Sequence, residues 1–168
     1  MISLKIEPPQ GSALEALARF PELYGANVMA AMLETGLLLE REAKMIAPVG
    51  VFGAAGYRGS IAALVPYMDG DTLIGGLGTS CPYAEPVELG TRPHFPPVQP
   101  IADWVRAKLG ETDPGAARSI AFCIARKIAA QGTEGQHVFK RARETSKDRI
   151  QAAFDGAVER TLAQGCTQ

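Results

Sequence analysis

The chain has few of the residues that build catalytic and metal sites. Its 168 residues include only two histidines, three cysteines and one tryptophan. His94 and His137 belong to no H-x-x-x-H or H-E-x-x-H pair, which would put two imidazoles on one helical face, so no zinc site of that kind is predicted. Cys81, Cys123 and Cys166 are odd in number and share no C-x-x-C spacing, which excludes a disulfide framework and favours a reducing compartment.

Net charge and long apolar runs are also missing. Lys and Arg number 17 against 18 Asp and Glu, a net charge of −1. This balance disfavours a protein whose main role is to bind a phosphate backbone, so no sequence-specific nucleic-acid partner is expected. The longest apolar stretch, Val28–Leu39, contains Glu34 and is shorter than the roughly 20 residues that a membrane-spanning helix needs. The first residues show no signal-peptide pattern, so the protein is expected in the cytoplasm when it is made.

The composition that is present is that of a folded globular protein. Hydrophobic residues make up 46% and charged residues 21% of a chain whose length suits one domain with a substantial core. We therefore expect a single domain over residues 1–168. The sequence shows no repeat of 20 to 50 residues, so a repeat protein is not predicted.

The N-terminal half predicts a short strand, a long helix and a hairpin. Ile2–Ile6 alternates apolar and polar residues and is predicted as a strand. A helix is predicted from Glu22 to Ala47, where Pro48 ends it, with an apolar face formed by Met29, Met32, Leu33, Ala43 and Ile46. The glycine-rich segment Val49–Gly59 is predicted to be a mobile loop. Ser60–Tyr67 and Thr72–Thr79 are predicted to form a hairpin around Asp69-Gly70-Asp71, with inward residues Ile61, Leu64, Leu73 and Leu77.

Residues 82–110 carry the strongest local signals. Six prolines from Pro82 to Pro100 restrict their own φ angles and those of their neighbours, which predicts a stiff surface loop over Gly90–Pro100. A helix that ends at Gly110 is predicted to follow, its apolar face formed by Ile101, Trp104, Val105 and Leu109. We expect Trp104 to anchor the core.

The last third is predicted to be helical. A helix from about Pro114 to Gly132 has apolar residues at helical spacing, among which Cys123 is expected in the core. After a turn at Gly132-Thr133-Glu134-Gly135, a final amphipathic helix is predicted, preceded by the basic string Lys140–Arg149. The predicted fold is therefore α+β, a small, mainly antiparallel sheet packed against the long N-terminal helix, with two or three C-terminal helices.

Three short sequence blocks follow one another along the chain. Block 1 is Ala47-Pro48 with Gly56-Tyr57-Arg58-Gly59-Ser60-Ile61, block 2 is Gly78-Thr79 with Pro82-Tyr83-Ala84 and the run Val87 to His94, and block 3 is Gly132-Thr133 after a helix. In their order and spacing these blocks resemble the tail-completion, or neck, proteins of long-tailed bacteriophages. The resemblance covers roughly Ala43 to Arg143, and none of its blocks is a catalytic signature.

The resemblance implies a structural protein of a phage or prophage virion. Such a protein would complete the tail end and help to join tail to head as one subunit of a homo-oligomeric, hexameric ring at the head–tail junction. Its partners would be tail-tube or tail-terminator proteins and head–tail connector proteins, and no enzyme activity, cofactor, metal or membrane is implied. Because arginines and aromatics are enriched at interface hot spots, the predicted docking residues are Arg58, Arg92, His94 and Phe95.

Two other classes of function stay open on the residues alone. A small hydrolase could use Cys81 as nucleophile and His94 as base, although no basic cluster or helix N-terminus near Cys81 predicts a lowered thiol pKa. A DNA-binding accessory protein could use Lys140–Arg149, but Glu144 and Asp148 interrupt that string, a pattern more typical of a solvated helix face. The Gly75–Ser80 run lacks the third glycine or the Gly-Lys ending of a phosphate-binding loop.

Overall fold

The computed structural model describes residues 13–50 and 56–166, and the predicted strand Ile2–Ile6 lies outside them. In chain order the elements are α1 (Ala13–Ile46), α2 (Tyr57–Ser60), β1 (Ile61–Asp69), β2 (Thr72–Thr79), α3 (Ala84–Leu89), β3 (Gly90–Thr91), α4 (Val98–Leu109), α5 (Pro114–Gln131), β4 (Thr133–Glu134), α6 (Val138–Thr145) and α7 (Lys147–Cys166). β1 pairs with β2 and β3 with β4, each pair forming a two-stranded antiparallel sheet. The predicted α+β fold class is confirmed.

The chain divides into two compact units. Unit 1 consists of Met1–Leu38, Ala63–Gly76 and Ser146–Gln168, and unit 2 consists of Leu39–Ala62 and Leu77–Thr145. The chain passes from one unit to the other inside α1, β1 and β2, so the units are not successive segments of sequence.

The long helix α1 is confirmed, but its predicted apolar face is buried only in part: Ala43 is in the core and Ile46 packs against it, whereas Met29 and Leu33 are exposed. Its fully buried residues are small, Ala31 in unit 1 and Ala43 in unit 2, whereas Met29 is 37% and Leu33 40% exposed. In unit 1 the hairpin backbone approaches α1 so closely that a Cβ added to Gly36 would lie 3.0 Å from the carbonyl oxygen of Gly76. Small side chains therefore occupy the buried face, because large ones would hold the two backbones apart.

The predicted hairpin is confirmed, with Gly70 at its turn in the left-handed region at φ 58°. Ile61 is fully buried, as predicted, and Leu77 packs against the core of unit 2. Leu64 was predicted to point inward but is 45% exposed. The reason is that strand side chains alternate between two faces, so Leu64, three positions after the buried Ile61, lies on the opposite face.

The core of unit 2 gathers residues from three parts of the sequence. It contains Ala43 and Ala47 from the end of α1, Tyr57 and Ile61 around α2, and Val138 and Ala142 from α6. The prediction that Val49–Gly59 is a mobile loop is wrong for its end, because Tyr57–Ser60 forms a helical turn that buries Tyr57 to 3% exposure. Val51–Ala55 lies outside the described residues.

Helices α4 and α5 pack against each other through small residues. The α4 residues that become buried are Ala102 and Val105, whereas Trp104 remains 39% and Leu109 59% exposed, so the prediction that Trp104 anchors the core is wrong. Ala117, Ala121 and Ala125 form the buried face of α5, which leaves Cys123 exposed instead of in the core. Alanine at every fourth position lets two helices approach closely, and this close approach turns the bulky residues outward.

The predicted last amphipathic helix is confirmed as α7 in unit 1, and a separate helix that was not predicted, α6, precedes it in unit 2. The basic string is divided between them, with every one of its cationic side chains exposed to solvent. In unit 1, Asn27 of α1 donates hydrogen bonds of 3.0 Å to Thr161 and to Gln164 of α7. None of the helices in residues 13–50 and 56–166 is long and apolar enough to cross a membrane.

Candidate functional site

A buried tyrosine and a carboxylate join block 1 to block 2 inside unit 2. Tyr57 Oη donates a 2.5 Å hydrogen bond to Glu88 Oε1. The same carboxylate accepts the backbone N–H of Phe139 at 3.2 Å, in the first turn of α6. A carboxylate at a helix N-terminus satisfies a free N–H group and interacts favourably with the helix dipole. Glu88 therefore fixes α2 and α6 to the end of α3.

Burial, followed by the hydrogen bond and the negative charge of Glu88, raises the pKa of the Tyr57 hydroxyl well above its ordinary value of 10.0. The phenol thus stays protonated and able to donate throughout the physiological pH range. This arrangement suits a structural hydrogen bond. A tyrosine that acts as a base would need a lowered pKa instead.

Block 2 joins block 3 through the short sheet β3–β4. Gly90 pairs with Glu134 and Thr91 with Thr133, and the two threonine hydroxyls lie 2.9 Å apart. The segment Gly132-Thr133-Glu134-Gly135, predicted to be a turn, is thus partly a strand. Its backbone groups are paired with a segment that lies about 40 positions earlier in the sequence.

Glycine is required on both sides of this sheet. Gly90 has φ 77° and Gly132 has φ 73°, conformations that other residues adopt only with strain. A Cβ on Gly90 would overlap the carbonyl oxygen of Thr133, and a Cβ on Gly132 would overlap that of Thr91. The glycines of blocks 2 and 3 are therefore explained by mutual contact of the two backbones.

The chain between β4 and α6 is held by the end of α3. Gln136 donates its backbone N–H to Val87 at 2.8 Å, and His137 donates to Glu88 at 3.2 Å. His137 has φ 49° where the chain turns into α6, and its carbonyl accepts the backbone N–H of Arg141. Together with the bonds above, these contacts make the three blocks one packed region of unit 2, which we call the block junction: Tyr57, Glu88, Gly90, Thr91, Gly132 and Thr133.

Three of the four predicted docking residues lie together on the loop that leaves the block junction. Arg92, His94 and Phe95 are all exposed, Phe95 at 54%, and His94 Nδ1 lies 2.9 Å from the carbonyl oxygen of Arg92. Phe95 packs edge-on against Phe122 of α5 with ring centroids 6.0 Å apart. Arg58 follows Tyr57 in α2 and is half-buried, and no described hydrogen bond or ion pair joins it to the loop.

A cavity of about 450 Å³ opens beside this loop in unit 2. Its polar lining includes Tyr83, His94, Glu134 and Gln136, and its apolar lining includes Val87 and Ile128. A volume of this size is at the lower end of the range for small-molecule sites. His94 is the one predicted docking residue that lines it.

Cys81 and His94, the residues of the hydrolase alternative, each contact a different group in the structure. A hydrogen bond between the Tyr83 hydroxyl and the Cys81 thiol is the main cause that raises the pKa of Tyr83. The ring nitrogen of His94 contacts a backbone carbonyl instead. In the part of the chain that the structure describes, no group of three or more His, Cys, Asp or Glu residues has the arrangement needed to hold a metal ion.

Glu88 and Phe122 are the residues whose roles sequence reasoning missed. The sequence gives no local signal for the role of Glu88, because its partners, Tyr57 and Phe139, are remote in sequence. Phe122 carried a usable signal, since it lies four positions from both Arg118 and Arg126 in one helix. Comparison of the chain with protein-family models, curated proteins and solved structures returned no match.

Proposed function

We propose that this chain is a structural protein of a long-tailed bacteriophage or prophage that completes the tail end and helps to join tail to head as a subunit of a ring. The observation that carries the proposal is the block junction. Three sequence blocks that resemble the tail-completion proteins pack into one region through Tyr57–Glu88 and β3–β4. All three blocks lie in the segments that form unit 2.

The distribution of apolar side chains supports a role in assembly. The largest fully buried side chains among the described residues are Ile61, Val105 and Val138, with no aromatic or methionine in that set. Larger side chains such as Phe95, Trp104 and Phe122 remain 39–54% exposed. Exposed apolar surface of this kind is typical of chains that bury it against protein partners.

In the proposed assembly the loop Arg92–Pro97 is the docking surface. Its base is held by β3–β4, its prolines restrict the backbone, and Phe95 is supported by Phe122. A loop that is already ordered loses little conformational entropy when it binds. Its partners would be the tail-tube or tail-terminator proteins on one side and the head–tail connector on the other, at the head–tail junction of the virion.

The test is a phage that carries this gene, with the gene deleted and supplied in trans. Arg92→Ala with Phe95→Ala should lower the free energy of unfolding by no more than about 1.5 kcal/mol, the contribution of the Phe95–Phe122 ring pair, since both side chains are otherwise exposed. Electron microscopy should then find filled heads and separate tails, and plaque counts should fall. The matched control is Arg106→Ala with Leu109→Ala on α4, one arginine and one exposed apolar residue outside the loop.

Normal yields of joined, infectious particles from the loop variant would contradict the docking role of the loop. Normal yields from the complete deletion would contradict the proposed function itself. Loss of turnover on ester or peptide substrates in a Cys81→Ala, His94→Ala variant, with assembly intact, would favour the hydrolase alternative.

A further inference from the structure

Helix α5 of unit 2 presents a cationic and aromatic stripe beside the docking loop, with which it shares Phe95. Arg118, Phe122 and Arg126 are spaced four residues apart and are all exposed, which places them on one solvent-facing line of the helix. Phe95 packs against Phe122 and widens the apolar centre of this line. Since α5 contains no Asp or Glu, no acidic group of the helix itself offsets the two arginines. We call these four residues the α5 stripe.

Unit 1 presents a surface of complementary character on its hairpin. Strand β1 leaves Leu64, Val65, Tyr67 and Met68 exposed, at 45%, 79%, 54% and 52%. The turn that follows adds two exposed carboxylates, Asp69 and Asp71. We call these six residues the hairpin surface. Four of five consecutive positions of this strand thus expose large apolar side chains, a kind of surface that soluble proteins usually cover.

The charges of the two units have opposite sign. Unit 1 has five Lys and Arg against nine Asp and Glu, a net charge of −4, and unit 2 has twelve against nine, a net charge of +3. These values add up to the net charge of −1 for the chain. Two copies can therefore attract each other when unit 1 of one approaches unit 2 of the other, whereas like units repel.

We propose that the hairpin surface of one copy binds the α5 stripe of a second copy, with Asp69 and Asp71 beside an arginine at one end of the stripe and the apolar residues of the strand against Phe122. The stripe spans eight residue steps of helix, about 12 Å, and Leu64 to Met68 spans about 13 Å, so the strand can lie along the stripe while the two carboxylates of the turn reach one of its ends. Such a contact joins different surfaces and can therefore link further copies. The contact between two copies does not depend on the proposed function. Only the closure of such contacts into a ring rests on it.

One element from each copy makes a small interface, so the association in isolation is weak and depends on salt. Sedimentation velocity of the full chain should find monomers at micromolar concentration and larger species as the concentration approaches millimolar. Added sodium chloride should reduce the larger species. A chain that stays monomeric at the highest concentration in low salt overturns the proposal.

Charge-reversal variants identify the surfaces. Arg118→Glu with Arg126→Glu, and separately Asp69→Lys with Asp71→Lys, should each weaken self-association by at least about tenfold. An equimolar mixture of the two variants should recover it, because the reversed stripe of one fits the reversed hairpin of the other. The matched control is Arg106→Glu with Lys108→Glu on α4, which should associate like wild type.

Thermal melting shows whether each variant is folded. If Asp69→Lys with Asp71→Lys is unfolded, Val65→Lys replaces it, since Val65 is the most exposed apolar residue of the strand. Wild-type association of a folded stripe variant, or no recovery in the mixture, overturns the proposal. So does a duplex DNA probe that binds the α5 stripe while the protein alone stays monomeric. Self-association in a chain that plays no part in head–tail joining would contradict the proposed function and leave this interface standing.

Discussion

The hydroxyl of Tyr57 donates a 2.5 Å hydrogen bond to the carboxylate of Glu88, across 31 positions of sequence. Because Glu88 also accepts the N–H of Phe139, one side chain holds together α2, α3 and α6. The docking loop leaves this region directly through β3. The position of the loop therefore depends on a polar contact inside unit 2.

Loss of the Glu88 carboxylate should be costly. Glu88→Ala leaves the buried Tyr57 hydroxyl and the Phe139 N–H without their acceptor, so the free energy of unfolding should fall by about 2–3 kcal/mol in urea titrations. The matched control Glu85→Ala, an exposed carboxylate on the same helix, should change it by less than about 0.5 kcal/mol. Equal effects of the two substitutions would mean that the bond contributes nothing.

Alkaline pH should destabilise the protein through Tyr57. Its pKa is raised in the folded state, so the folded protein holds this proton more tightly than the unfolded chain, whose tyrosine titrates near 10.0. The contribution to stability is complete below that pH and is lost as pH rises through the folded value. Melting temperatures measured above pH 10 should fall less steeply for Tyr57→Phe than for wild type. Parallel curves would contradict the assignment.

Alanine at the glycines of the short sheet should disrupt the block junction. Gly90→Ala and Gly132→Ala each combine a positive φ with overlap of a carbonyl oxygen, and each should cost at least about 2 kcal/mol. Gly25→Ala is the control, since this exposed glycine of α1 has free space around it and should gain up to about 1 kcal/mol from helix propensity. Chemical denaturation separates the two outcomes by their sign.

Substitution of Trp104 should lower the free energy of unfolding less than its place on the predicted apolar face of α4 suggests. Emptying a core aromatic site costs about 3–5 kcal/mol, but Trp104 is 39% exposed, so Trp104→Ala should cost about 1–2 kcal/mol. The neighbouring Val105 is fully buried, and Val105→Ala should cost at least as much although it removes far fewer atoms. A loss of 4 kcal/mol or more for Trp104→Ala, roughly the full core value, would restore the core role.

The features that the sequence predicted correctly depend on neighbouring residues. Pro48 ends α1, and Gly110 ends α4 in the left-handed conformation at φ 70°. Asp113 caps α5 by accepting the N–H of Ala116 at 2.7 Å, and Gly70 forms the turn of the hairpin. Each of these effects acts within four residues, so a pattern in the sequence is enough to reveal it.

The features that only the tertiary structure decided depend on residues far apart. The buried faces of the helices are those with small residues, which allow the backbones to come close. Ala31, Ala117 and Ala121 are therefore buried, whereas Trp104 and Leu33 are exposed. Helical spacing places residues on a common face but carries no information about how near the next element comes. The Tyr57–Glu88 bond and the β3–β4 pairing likewise join positions that only the folded chain brings together, which is why the sequence by itself determined the elements but not their contacts.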